Sequence, residues 1–220
     1  MSNRPPVAFE TSCVERFLRY VTYDTESDES SPTSPSTAKQ WDLLRVLADE
    51  LRALGLEEVE LLEHGYVFGT IPATTTKANV PTIGFVAHVD TSPEMSGANV
   101  KPILHQNYQA QDIVLPDDST AVLRASEHPY LREQIGCDII TASGLSLLGA
   151  DNKAGVAEIV GAAEYLMAHP EIPHGKIRVA FTPDEEIGRG ADHFDVEKFG
   201  AFCAYTMDGS RRGELEVESF

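Results

Sequence analysis

The sequence predicts an α/β fold with a mainly parallel central sheet flanked by helices. Short apolar runs at 59–62, 66–71, 82–87, 176–181 and 201–207 interleave with stretches of helical periodicity at 12–23, 38–54, 154–169 and 191–199. Alternation of this kind is expected when helices join the strands of one sheet. The chain has 220 residues, 42% hydrophobic and 24% charged, which is enough for one large domain with a real core and short for two. A third observation bears on function as well as fold: several of the apolar runs end in acidic residues.

The elements follow in order. Ser12 and Glu15 have capping-box spacing, and Val14, Phe17, Leu18 and Val21 share one helical face. Residues 26–37, rich in Ser, Pro, Thr and acids, read as an irregular polar loop, a composition that suits a disordered linker or a short ordered connection equally well. A second helix carries Trp41, Leu44, Leu47, Leu51 and Leu54 on one face, with Gly55 as its C-terminal cap. Three strands follow. Residues 91–136 show no sustained period and predict loops, short strands and one helical turn. Runs at 138–142 and 145–148 read as a hairpin around Ser143 and Gly144. The helix at 154–169 turns Val156, Ile159, Val160, Ala163 and Leu166 inward and stops before Pro170. A buried strand, a short helix and another strand complete the series. Residues 214–220 alternate polar and apolar like a half-buried strand, and a sequence stopping in mid-strand is expected to be a fragment.

The bulk numbers exclude several partners. A net charge of -18 argues against nucleic-acid backbones and anionic membranes, which would repel the chain. Cys13, Cys137 and Cys203 are widely spaced and odd in number, so they form no disulfide framework and no Cys-x-x-Cys thiolate site. A reducing cytoplasm fits best. The first residues lack the apolar core of a signal peptide, and no run approaches the roughly 18–20 apolar residues of a membrane helix.

The acids at the strand ends carry the chemistry. His88 and Asp90, two apart at the end of a strand, point to the same face, so an imidazole can bind metal while a carboxylate orients its ring. Alone, His88 would read as a satisfied strand-end histidine. Asp90-Thr-Ser92 also has the look of an aspartic-protease turn, a reading that needs a second such turn and an all-β chain. Asp151, at a helix start, would alone read as an N-cap. Glu185 and Glu186 differ, because adjacent carboxylates at the end of an apolar strand repel each other without a cation nearby. One can ligate metal while the other takes a proton from bound water. Asp208 again lies just past an apolar strand. Ligands at the C-terminal ends of strands occupy the edge where open α/β sheets place their sites. Carboxylate and imidazole without thiolate suit Zn²⁺, Mn²⁺ or Co²⁺.

Four motifs taken together are more specific than any one: His88-Val-Asp90-Thr-Ser-Pro, Leu148-Gly-Ala-Asp151-Asn-Lys-Ala-Gly155, Phe181-Thr-Pro-Asp-Glu185-Glu186-Ile-Gly and Tyr205-Thr-Met-Asp208-Gly. They resemble the peptidase T family, tripeptide aminopeptidases among the co-catalytic dizinc exopeptidases, and the likeness extends through 172–180 and 193–196. The resemblance implies that His88 and Asp208 bind one zinc, with Asp90 orienting His88. It implies that Asp151 bridges two zincs, Glu186 ligates the second, and Glu185 is the general base. The substrate it implies is a short peptide, chiefly a tripeptide.

Asn152 and Ser143 replace acids common at their positions in the family. The family's second-metal histidine and its lid domain, through which such enzymes dimerise or grip substrate, have no counterpart here. His105, His128, His169, His174 and His193 read as loop or helix residues away from the ligand edge. Residues 1–220 are therefore expected to be the N-terminal part of a catalytic domain that holds at least one metal weakly and cleaves peptides poorly or not at all. A homo-oligomer is compatible with the sequence. The alternatives are a non-catalytic metal-binding domain of the same fold, or a related dizinc exopeptidase or deacylase with another substrate.

Overall fold

The computed structural model describes residues 11–209 and 213–215. In chain order the elements are α1 (Cys13–Tyr20), α2 (Gln40–Ala53), β1 (Glu57–Leu61), β2 (Val67–Ile71), β3 (Ile83–His88), β4 (Ile103–His105), β5 (Ile113–Leu115), β6 (Asp118–Leu123), α3 (Pro129–Arg132), β7 (Ile139–Thr141), α4 (Ala150–Ala168), β8 (Ile177–Thr182), α5 (Val196–Phe199) and β9 (Cys203–Thr206), with a 3₁₀ turn at Glu185–Ile187. Of the strand expected at 214–220, residues 216–220 lie outside the described residues, and 214 and 215 are not in a strand.

The main sheet runs β1-β2-β8-β3-β9. The three strands β8, β3 and β9 are parallel, and β1 and β2 extend them antiparallel beyond β8. The expected α/β architecture is therefore present as a mixed sheet. Every residue of β2 and β8 is buried, which is why their sequences are mostly apolar without alternating; the polar exceptions include Arg178 and Thr70, which hydrogen-bond to each other. The main core joins α1, α2 and α4 to the sheet: Leu43, Leu44, Leu47, Leu51, Val156 and Val160 share one cluster with Val67, Ala87, Val179 and Phe181. A smaller cluster of Tyr66, Phe68, Ala180 and Phe199 forms separately.

Several elements depart from the sequence reading. The capping box at α1 does not form. Ser12 donates to the Glu164 carboxylate and accepts from Arg16 instead, and Val14 is exposed while Phe17, Tyr20 and Val21 face the core. In α2 the buried stripe is Gln40, Leu43, Leu44, Leu47, Ala48 and Leu51, with Trp41 only half-buried at its margin. The hairpin at 138–148 is absent. β7 pairs with β4 across more than thirty residues, and Leu147 donates its amide to Ser96. Leu148 packs on the main core, so burial of this run leads into α4 rather than into a local turn. The predicted helix at 191–199 shortens to α5.

Candidate metal centre

The parallel strands bring the predicted residues to one edge. β3 ends at His88, in register with Thr182 of β8, and Val89 N–H bonds to Thr182 O at 2.9 Å. Past β9, Met207 N–H bonds to Val86 O at 2.7 Å, which sets Asp208 beside His88. Asp151 arrives from the start of α4 but is no N-cap. Gly149, with φ +77, turns the chain there. Asp151 itself has non-helical φ/ψ of -80 and 107, and the Asp151–Asn152 peptide is cis. Gly155 is required where α4 passes residue 207, since a Cβ there would fall 1.9 Å from Met207 O.

His88 is buried, 3% exposed, and its Nε2 is the hub. It lies 3.1 Å from Asp151 Oδ1, 3.6 Å from Asp208 Oδ2 and 3.6 Å from Glu185 Oε2. Donor atoms of His88, Asp151 and Asp208 all fall within 4.8 Å of one another. Glu185 and Glu186 are both outside this group. Among the described residues no lysine or arginine forms an ion pair with Asp151, Glu185, Glu186 or Asp208. The site is thus a cluster of oxygen donors around one imidazole, which is their one cationic partner among the described residues, and that donor set fits a hard or borderline divalent cation.

The protonation equilibria reflect the same field. Burial pushes the His88 imidazolium towards losing its proton, but hydrogen bonds to Asp208 and Asp90 and the Glu185 charge outweigh it and raise the pKa to about 11. The His88 hydrogen bond lowers the pKa of Asp208. Burial raises that of Glu186, with the Asp151 charge next in weight.

Asp90 is fully buried behind His88. His88 Nδ1 lies 3.1 Å from Asp90 O and 3.3 Å from its Oδ1, so either acceptor can hold the Nδ1 proton and leave Nε2 free. The same carboxylate accepts Glu185 N–H at 2.9 Å and Glu186 N–H at 3.1 Å. One side chain therefore braces both the histidine and the turn bearing the two glutamates.

Sequence reasoning missed the residues behind that turn. Asp184, at φ 58 and 1% exposed, accepts from Ser36 and Gln40, in and just after the polar stretch 26–37. That stretch is an ordered connection. Gln40 was the available signal, a polar residue in line with the apolar stripe of α2. Lys153, also missed, is 1% exposed and donates to Tyr23 O at 2.8 Å. His105 belongs to β4, neither loop nor helix as read from the sequence, and lies 3.0 Å from Thr141 Oγ1. His193 stacks on His64. Among the described residues, His88 is the only histidine in the cluster.

No protein-family model matches the chain. It is 55% identical over 94% of its length to a curated peptidase T of Alkaliphilus oremlandii, covering 51% of that protein, and 58% identical over 96% to peptidase T of Desulfitobacterium hafniense, again covering 51%. The chain spans about half the length of these curated relatives. Among solved structures, aminopeptidase PepT of Bacillus cereus superposes on 90% of this chain and 43% of its own, with a TM-score of 0.63 and 27% identity. The family that this chain resembles, in its four motifs and across nearly its whole length, is peptidase T.

Proposed function

We propose that the chain is part of a metal-dependent aminopeptidase that releases the N-terminal residue from short peptides, chiefly tripeptides. The observation that carries this reading is the convergence of His88, Asp151 and Asp208 donors within 4.8 Å at the sheet edge. Its support from relatives is the similarity to peptidase T over nearly the whole chain. His88, Asp151, Glu186 and Asp208 would hold two divalent cations, zinc with cobalt or manganese as substitutes, Asp151 being shared. Such a pair supplies an acidified water and stabilises the negative charge that develops on the scissile carbonyl oxygen.

The remaining roles belong to this chain's own groups. Asp90 holds the His88 Nδ1 proton and so keeps Nε2 available. Glu185, half-exposed and 3.6 Å from His88 Nε2, accepts the proton of the attacking water. It returns that proton to the peptide nitrogen as the carbon–nitrogen bond breaks and the free amine leaves. We assign residues 1–220 to the N-terminal part of the catalytic domain, a reading supported by the half-length match. The second-metal histidine and the lid implied by the resemblance would come from outside these residues. Three free, separated thiols agree with a cytoplasmic setting, and no described helix is long and apolar enough to cross a membrane.

The half-length match also favours a second reading, a half-site that binds metal without turnover. Zinc-loaded chain incubated with Ala-Ala-Ala and with its N-acetyl form separates the two. Release of free alanine from the unblocked peptide alone, abolished by Glu185→Gln with zinc content unchanged, is the expected result for the aminopeptidase. Zinc uptake with no cleavage of either peptide establishes the half-site. Release of acetate from the acetylated peptide points to a deacylase.

A further inference from the structure

We infer that residues 25–37 act as a strap that positions the Glu185–Glu186 turn against His88 and Asp90, and that Asp184 is the positioning residue through which it acts. The importance of that turn rests on the function proposed above; the strap itself rests on geometry alone. At one end the strap runs alongside the strand extension behind the histidine: Thr91 N–H bonds to Thr25 O at 3.2 Å, and Ser27 N–H to Thr91 O at 3.1 Å. At the other end it grips the turn twice. The Asp184 carboxylate accepts Ser36 N–H at 2.7 Å, Ser36 Oγ–H at 2.5 Å and Gln40 Nε2–H at 2.7 Å, while Asp184 N–H reaches Gln40 Oε1 at 3.3 Å. Five residues on, the Arg189 guanidinium donates to Ser31 O at 2.8 Å and Asp28 O at 3.0 Å. Asp28 N–H in turn bonds to Ser36 Oγ at 2.9 Å, which closes the strap on itself.

This arrangement has a physical consequence. His88–Asp90 and Asp184–Arg189 are nearly a hundred residues apart, and β3 and β8 part company just beyond Thr182. Past that point Asp90's bonds to the two glutamate amides hold the turn from within, and the strap holds it from outside. A buried carboxylate with three donors and a left-handed backbone is costly to maintain. Here it fixes the direction in which Glu185 and Glu186 leave the turn. Asp184→Asn would turn an amide NH₂ towards groups that are themselves donors, releasing the outer hold while the volume stays the same.

The test is amide hydrogen exchange on the metal-free chain, together with a Co²⁺ titration followed by its visible d–d absorption. In Asp184→Asn, and more mildly in Ser36→Ala, exchange at Glu185 and Glu186 should accelerate by about tenfold or more, with amides of Ile177–Thr182 unchanged. Co²⁺ affinity should weaken by about tenfold in Asp184→Asn, within the range usual for residues that support ligands. Unchanged exchange at 185 and 186 in both variants, or equal acceleration along the whole of β8, overturns the strap. If the wild-type chain takes up no Co²⁺ yet the local exchange effect appears, the strap stands and the metal reading falls.

Discussion

β8 and β9 run parallel on either side of β3 and end at the same edge, yet they are built differently. All six residues of β8 are buried, and its extension is clamped by Asp90, Ser36 and Gln40. All four residues of β9 are exposed, Phe202 beside it is 82% exposed, and among the described residues no strand pairs with its outer side. One flank of the site thus rests on a packed core and a hydrogen-bonded strap. The other, which brings Asp208, is held by its ladder to β3 and by the close passage of α4 at Gly155. Donors of similar chemistry therefore have unequal support: the Glu185 side is preorganised, and the Asp208 side depends on a few backbone contacts.

The largest effect that can break this comparison is on stability. Phe181→Ala should cost about 3–5 kcal/mol, the usual range for truncating a buried aromatic, whereas Phe202→Ser should stay within about 0.5 kcal/mol; urea unfolding of both variants measures the contrast, and equal losses would refute it. Next comes ligand removal. His88→Ala and Asp151→Asn should each weaken zinc binding by about a hundredfold or more, beyond the 10- to 100-fold typical of supporting residues, as read by calorimetric titration. Gly155→Ala probes the softer flank. Its Cβ has no room beside Met207 O, so the end of β9 must shift, at about 1–3 kcal/mol. Zinc affinity should drop with it, while hydrogen exchange at Glu185 and Glu186 stays at the wild-type rate.

The smallest effect is a proton count. With the folded pKa of His88 raised to about 11 from about 6.5 unfolded, its charged form stabilises the metal-free fold fully below pH 6.5. That contribution is lost as pH rises through 11. Zinc needs the neutral imidazole, so its binding at pH 8 should release about one proton. Titrations in two buffers of different ionisation enthalpy give the number, and no release would show that His88 is already neutral.

Much of the architecture was legible because it is local. The periodicity of α4 and the largely apolar runs of β2 and β8 announce themselves, and the two-residue spacing of His88 and Asp90 places them together before any tertiary contact is known. What escaped was long-range competition. The run at 139–141 pairs with 103–105 rather than with its neighbour, and Ser12 spends its hydroxyl on Glu164 rather than on its own helix. Asp184 finds Ser36 and Gln40 across 148 and 144 residues. Glu185 and Glu186 are adjacent in sequence and both lie outside the three-donor group, but the 3₁₀ turn gives them different surroundings: Glu185 is exposed with Oε2 3.6 Å from Nε2 of His88, and Glu186 is partly buried. No pattern of residue types encodes that distinction, which follows from how the turn is held.

The most direct test is a calorimetric zinc titration of chain stripped of metal, run in parallel on His88→Ala. At least one equivalent should bind to the wild-type chain and none at comparable affinity to the variant. Equal binding by both, or none by the wild type, would contradict the claim that these strand ends form a metal centre.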